Sequence, residues 1–217
     1  MKSTQHTVNR RSRVLFLSVL SAFALVGCNA TTKTVHKEAN IEIQEAVGFT
    51  ITEEVQVPDS IRLQYDEALQ QLRDGNLKQG IAVLEQVTEA APNVTAPKID
   101  LGVAYHRLGD LENAEVYLLQ ALELTSKHPV ALNELGIVYR ESGRFAEAKQ
   151  RYEAAIVVYP GYHHARRNLA ILCDLYLGDL NCALDQYVAY MATVPNDPEV
   201  EMWVTDLRNR MAKEDSL

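Results

Sequence analysis

Shifted by 34 residues, the chain matches itself. LGVAYHRLGDLENAEVYLLQAL, from Leu101, falls on LGIVYRESGRFAEAKQRYEAAI, from Leu135. Leu101, Gly102, Tyr105, Gly109, Ala114 and Ala121 land on Leu135, Gly136, Tyr139, Gly143, Ala148 and Ala155. One step back, Ala68, Gly75, Gly80, Leu84 and Pro92 stay in register. One step forward, Leu169 and Ala170 match, and a single extra residue intervenes before Ala183, Tyr187 and Pro195. Four units follow, about 61–94, 95–128, 129–162 and 163–197. A repeat of this length cannot bury its apolar face alone, so the units must stack into an open array rather than close around one core.

Each unit holds two runs of about 12–14 residues with helical spacing, separated by a glycine-containing turn. Leu132, Leu135, Gly136 and Tyr139 share one face of the first run, and Ala148, Tyr152 and Ala155 share one face of the second. Small residues at Gly102, Gly136, Ala114 and Ala148 let the two helices approach closely. Pro92, Pro160 and Pro195 end the second helices. A last helix, 198–213, closes the stack. Asp197 is placed to cap it, Pro198 suits its first turn, and Val200, Trp203, Val204 and Leu207 form its buried stripe.

These residues resemble the tetratricopeptide repeat family over about 137 of the 217 residues. The resemblance implies an all-α, right-handed solenoid of about four helical hairpins plus the capping helix. It also implies that the first helices line a concave groove that takes peptides. By position the groove residues are Ile99, Val103, His106 and Arg107 in unit two, Asn133, Ile137 and Arg140 in unit three, and His164, Arg167, Asn168 and Ile171 in unit four. The groove is then expected to be apolar with a basic rim. Arg140 and Arg167 could hold a carboxylate through bidentate bonds, or pair internally with Glu134, Glu141 or Asp174.

The N-terminus carries a different signal. Lys2, Arg10, Arg11 and Arg13 precede the apolar stretch Val14 to Gly27, which is too short for a bilayer span of about 20 residues. It reads as a secretory signal peptide, residues 1–27. Leu25, Val26, Gly27 and Cys28 resemble the lipobox of bacterial lipoproteins. That resemblance implies cleavage after Gly27, diacylglycerol on the Cys28 sulfur and acylation, typically by palmitate, of its amino group. Asn29, where Asp favours inner-membrane retention, implies the outer membrane of a Gram-negative cell, facing the periplasm.

Residues 28–58 form the connection. NATTKTVHKEAN has linker composition. In 41–57 the apolar residues Ile41, Ile43, Val47, Phe49, Ile51, Val55 and Val57 all fall on odd positions, interrupted only by Glu45 and Glu53. This alternation predicts extended structure, either docked on its own helical domain or added to a partner's sheet edge, or else held as a partly ordered tether. Gly48 marks a possible bend.

Export makes the compartment oxidising, and with Cys28 acylated two cysteines remain. Cys173 and Cys182 can face each other across the hairpin of unit four as a disulfide, or stay as buried thiols. The net charge is −8, and setting aside the four N-terminal cations leaves 17 basic against 29 acidic side chains. Such a body is a poor match for nucleic acid. There is no glycine-rich phosphate loop and no nucleophile elbow. His163 and His164 are adjacent and diverge on a helix, while His36, His106 and His128 lack ligand spacing. The sequence thus predicts no enzyme, no cofactor, no metal and no small-molecule substrate. It predicts a membrane-anchored scaffold for other envelope proteins, similar in plan to the pilotin-type repeat lipoproteins of pilus and secretin assembly. An accessory to an ExbB/TonB- or Tol-type energised system, or a regulator of peptidoglycan enzymes, is the alternative.

Overall fold

A computed structural model describes residues 40–44, 48–53 and 55–214. The expected signal peptide, residues 1–27, and the expected lipidation site Cys28 lie outside the described residues. Two short strands come first, β1 (Asn40–Gln44) and β2 (Gly48–Thr52), paired antiparallel with Ile41 opposite Ile51 and Ile43 opposite Phe49. Helices follow in pairs: α1 (Asp59–Arg73) with α2 (Leu77–Ala90), α3 (Thr95–Leu108) with α4 (Leu111–Leu124), α5 (Pro129–Glu141) with α6 (Phe145–Val158), and α7 (His163–Leu172) with α8 (Leu180–Thr193). α9 (Pro198–Glu214) closes the array, its first turn capped by Asp197, which accepts from the Glu199 and Val200 amides.

Pairing within a unit depends on the small residues. A Cβ added at Gly136 would stand 2.5 Å from the Tyr152 ring, so the glycine is what lets α5 and α6 close. Each unit then packs on the next through α2–α3, α4–α5 and α6–α7. One continuous apolar seam runs from Leu118 through Leu135, Tyr152, Leu169 and Tyr187 to Val200 and Leu207, all 2% exposed or less. The array is an all-α solenoid.

Turns between paired helices share one device. Gly143 adopts φ 74°, a left-handed conformation that glycine enters without strain, and the next amide, of Arg144, bonds the Tyr139 carbonyl five residues back. Unit four keeps the glycine, Gly178 at φ 65°, but the Asp179 amide reaches six residues back, to Cys173. The extra residue is taken up as a π-helical turn, Cys173–Leu177, with Cys173 and Cys182 joined as a disulfide behind it (Cα–Cα 5.9 Å). A π-turn is the usual structural form of a one-residue insertion in a helix.

The extended stretch 41–57 is not one strand. Its described residues include the two paired strands β1 and β2, and β2 lies against the helices. Phe49 meets Tyr159 and Tyr162 edge-on, at 5.5 and 5.8 Å between ring centres.

Candidate functional site: the inner face

The first helices of successive units touch one another, α3 with α5 and α5 with α7, so they form the inner face. The second helices lie outside, where Val116, Val157 and Val188 are exposed. On the inner face Val103, Ile137 and Ile171 recur every 34 residues, each half-buried. Leu69, one step earlier and also half-buried, extends the line into unit one. Sequence reasoning missed Leu69, although stepping back from Val103 would have found it. The four make an aliphatic stripe along the length of the array.

Flanking polar side chains are largely engaged with one another. Tyr65 donates to Asp100, Arg107 to the Leu72 carbonyl (3.2 Å), and Asn168 to Asn133 (2.9 Å), while His106 Nε2 lies 2.9 Å from Glu141. Each of these pairs is 35 residues apart in sequence and ties a first helix to its neighbour. Arg167 bonds Glu199 (2.8 Å) and lies over the Trp203 ring (5.2 Å), and Arg210 pairs with Asp174. Burial pushes the Asp100 carboxyl up despite the Tyr65 hydrogen bond, and pushes Glu134 up against the opposing Asn133 bond and His106 charge.

Two expected groove residues are interior instead. Ile99, 6% exposed, joins the core beneath α5, and Asn133, 2% exposed, bridges Glu134 and Asn168. Both sit where adjacent first helices meet, so the next unit covers them. His164 and Arg107 are exposed, and His106, Arg140, Arg167, Asn168 and Ile171 are half-buried. The basic rim is largely neutralised. Arg167 already has a carboxylate, and the nearest one to Arg140 is its neighbour Glu141 at 3.6 Å. Arg140 keeps a buried Nε without a hydrogen-bond partner, and the hydroxyl of the buried Tyr152 is likewise unbonded. The face offers an apolar line bordered by balanced charge, a surface for a peptide segment rather than for a strongly charged ligand.

Its chemistry is sparse. His106 and Glu141 form an acid–base pair, but neighbouring Ser142 donates its hydroxyl to the Val138 carbonyl of its own helix. The His163 and His164 rings lie 4.1 Å apart, tilted by 40°, and desolvation lowers the pKa of both. Among the described residues no three His, Cys, Asp or Glu side chains converge as a metal site, and no helix is long and apolar enough to cross a membrane.

Two tetratricopeptide repeat models match the chain, over residues 94–160 and 133–198. The anaphase-promoting complex subunit CDC16 of Saccharomyces cerevisiae is 27% identical over 85 residues, which are 39% of this chain and 10% of that protein. The chain therefore spans about a tenth of the length of that relative. Among solved structures, PilF of Pseudomonas aeruginosa superposes with a TM-score of 0.65 at 22% identity, covering 71% of this chain and 70% of that one. The first repeat domain of Spaghetti (RPAP3), bound to the HSP90 peptide SRMEEVD, gives 0.51 at 19% identity, covering 52% of this chain and 90% of that one.

Proposed function

The repeat region of this chain belongs to the tetratricopeptide repeat family, and from that premise we propose that the protein is a lipid-anchored envelope scaffold that holds a partner segment along its inner face. The protein-binding part is the general role of the fold. The observation that carries the reading is the stripe Leu69, Val103, Ile137 and Ile171, kept in step on the face that the stacking leaves open. A half-buried aliphatic at each unit lets an extended or helical segment dock one apolar side chain per unit.

Anchoring rests on the sequence of residues 14–28. Two or more acyl chains at Cys28 give lasting attachment, where one gives only marginal binding. The disulfide of unit four fits an exported protein. The resemblance in plan to pilotin-type repeat lipoproteins is the ground for placing it in a pilus- or secretin-type envelope machine, with the energised and peptidoglycan systems as the alternative.

Two substitutions test the reading together. Cys28→Ser moves the protein from the membrane fraction to the soluble periplasm. Val103→Glu with Ile137→Glu, in the anchored protein, abolishes recovery of the partner, while Val157→Glu on the outer face does not. Membrane retention of the Cys28→Ser protein overturns the anchor, and undiminished partner recovery by the double variant overturns the inner face.

A further inference from the structure

β2 and the segment that joins it to α1 run along a second surface, the edge formed where one unit passes to the next. The odd-numbered residues that face one side of an extended chain meet three successive junctions. Val57 lines an apolar cleft of about 140 Å³ with Ile61, Ala91 and Val94, at the passage from α2 to α3. Glu53 accepts from the Thr95 amide (3.1 Å) and from the Thr125 hydroxyl (3.3 Å), bridging the α2–α3 and α4–α5 passages. Phe49 enters the aromatic pair Tyr159 and Tyr162 at the passage from α6 to α7. Four residues of extended chain cover about 13 Å, of the order of one packed helix layer. The spacing of Phe49, Glu53 and Val57 therefore tracks the spacing of the units.

Glu53 is the telling residue. It interrupts the apolar alternation, and it does so where the inward position meets a helix start that lacks a cap of its own. Val94 precedes α3 and has no side-chain acceptor, so Glu53 satisfies the Thr95 amide from 42 residues away. Contact is nonetheless thin. Phe49, Ile51, Glu53 and Val57 are only half-buried, and Ile43 on the paired strand is 46% exposed. A two-stranded ribbon is marginal by itself in water.

We propose that this edge is a second segment-binding track, separate from the inner face. Its ligand is an extended strand bearing an aromatic, a carboxylate and a β-branched aliphatic at four-residue intervals. The chain's own residues 48–57 occupy it as a releasable strap. Release opens locally, without unfolding the helices beneath, because few buried contacts join the two. One consequence rests on the anchoring proposed for Cys28. About 12 residues separate Cys28 from Asn40 and about 30 separate it from Pro58, so release lengthens the maximum tether from ~40 Å to ~100 Å.

Amide hydrogen exchange on the oxidised full chain tests the strap and does not depend on lipid. In the wild type, Thr95 and residues 48–52 are protected and open together, faster than α5 and α6. Phe49→Ala with Glu53→Ala lowers that protection about tenfold or more and leaves α5 and α6 unchanged. A synthetic peptide of residues 48–58 added to the double variant restores Thr95 protection, and the same peptide carrying both alanines does not. The proposal is overturned by unprotected strap amides in the wild type, by loss of α5 and α6 protection along with the strap, or by failure of the peptide to restore Thr95. Failure of the anchor would appear separately, in the fractionation of Cys28→Ser.

Discussion

Units three and four follow one template and differ by one residue. From α5 to α7 the step is 34, so Ile137 and Ile171 stay in line, but from Gly143 to Gly178 it is 35. The extra residue falls after Ile171, inside the turn, where a π-helical loop clamped by Cys173–Cys182 absorbs it. The inner face is undisturbed, and the cost is local: Leu175, Tyr176 and Leu177 are exposed on the turn, Tyr176 against Phe145 of the unit before (4.9 Å). A solenoid thus tolerates irregularity at the edge of a unit as long as the stacking surface keeps its period. The two units also start differently. His128 caps α5, accepting from the Ala131 amide, whereas Tyr162 precedes α7 and gives no side-chain cap.

That difference predicts the largest effect. Burial holds His128 down to about 4, against an ordinary 6.5, with the Glu53 charge opposing only in part. The unfolded chain therefore takes the proton first. The contribution is complete above pH 6.5 and is lost as pH falls toward 4, by about 3 kcal/mol in all. His128→Asn keeps an acceptor at the cap but does not titrate there. Denaturant melts of the two proteins at pH 7 and pH 4.5 should show the variant losing less stability than the wild type.

The clamp of unit four comes next. Cys173→Ala with Cys182→Ala opens a loop closed over nine positions and lowers stability by about 2.5 kcal/mol. Exchange should quicken first in α7 and α8 and leave α1 to α4 as they were. Third is the reciprocal swap at the position where α5 has Gly136 and α7 has Ala170. Gly136→Ala presses on the Tyr152 ring and costs about 1–3 kcal/mol, while Ala170→Gly costs only about 1 kcal/mol, from helix propensity and lost packing. Thermal melts decide the order. The smallest effect carries the opposite sign. The Tyr152 hydroxyl is buried without a partner, so Tyr152→Phe should leave stability unchanged or raise it by up to about 1 kcal/mol.

Periodicity made most of the fold readable beforehand. The step of 34 placed the starts of α3, α5 and α7, and the slip before Ala183 located the irregular unit. What periodicity could not give was the form of that slip, because a π-turn and a longer loop look alike in sequence. Groove residues were harder. Ile99 and Asn133 share a helix face with Val103 and Ile137, and only the approach of the next first helix separates buried from open positions. Arg167 and Glu199 are 32 residues apart, one in unit four and one in the capping helix, and no local pattern announces their pairing. Glu53 was visible as a break in alternation, but its meaning depended on Thr95, far along the chain.

Site-specific photocrosslinking of the full-length protein in its own cells tests the central claim most directly. A photoreactive residue at Ile137, half-buried on the inner face, should trap one discrete protein adduct, and the same residue at Val157, 80% exposed on the outer face, should trap none. An adduct from Val157 with none from Ile137 would contradict the account.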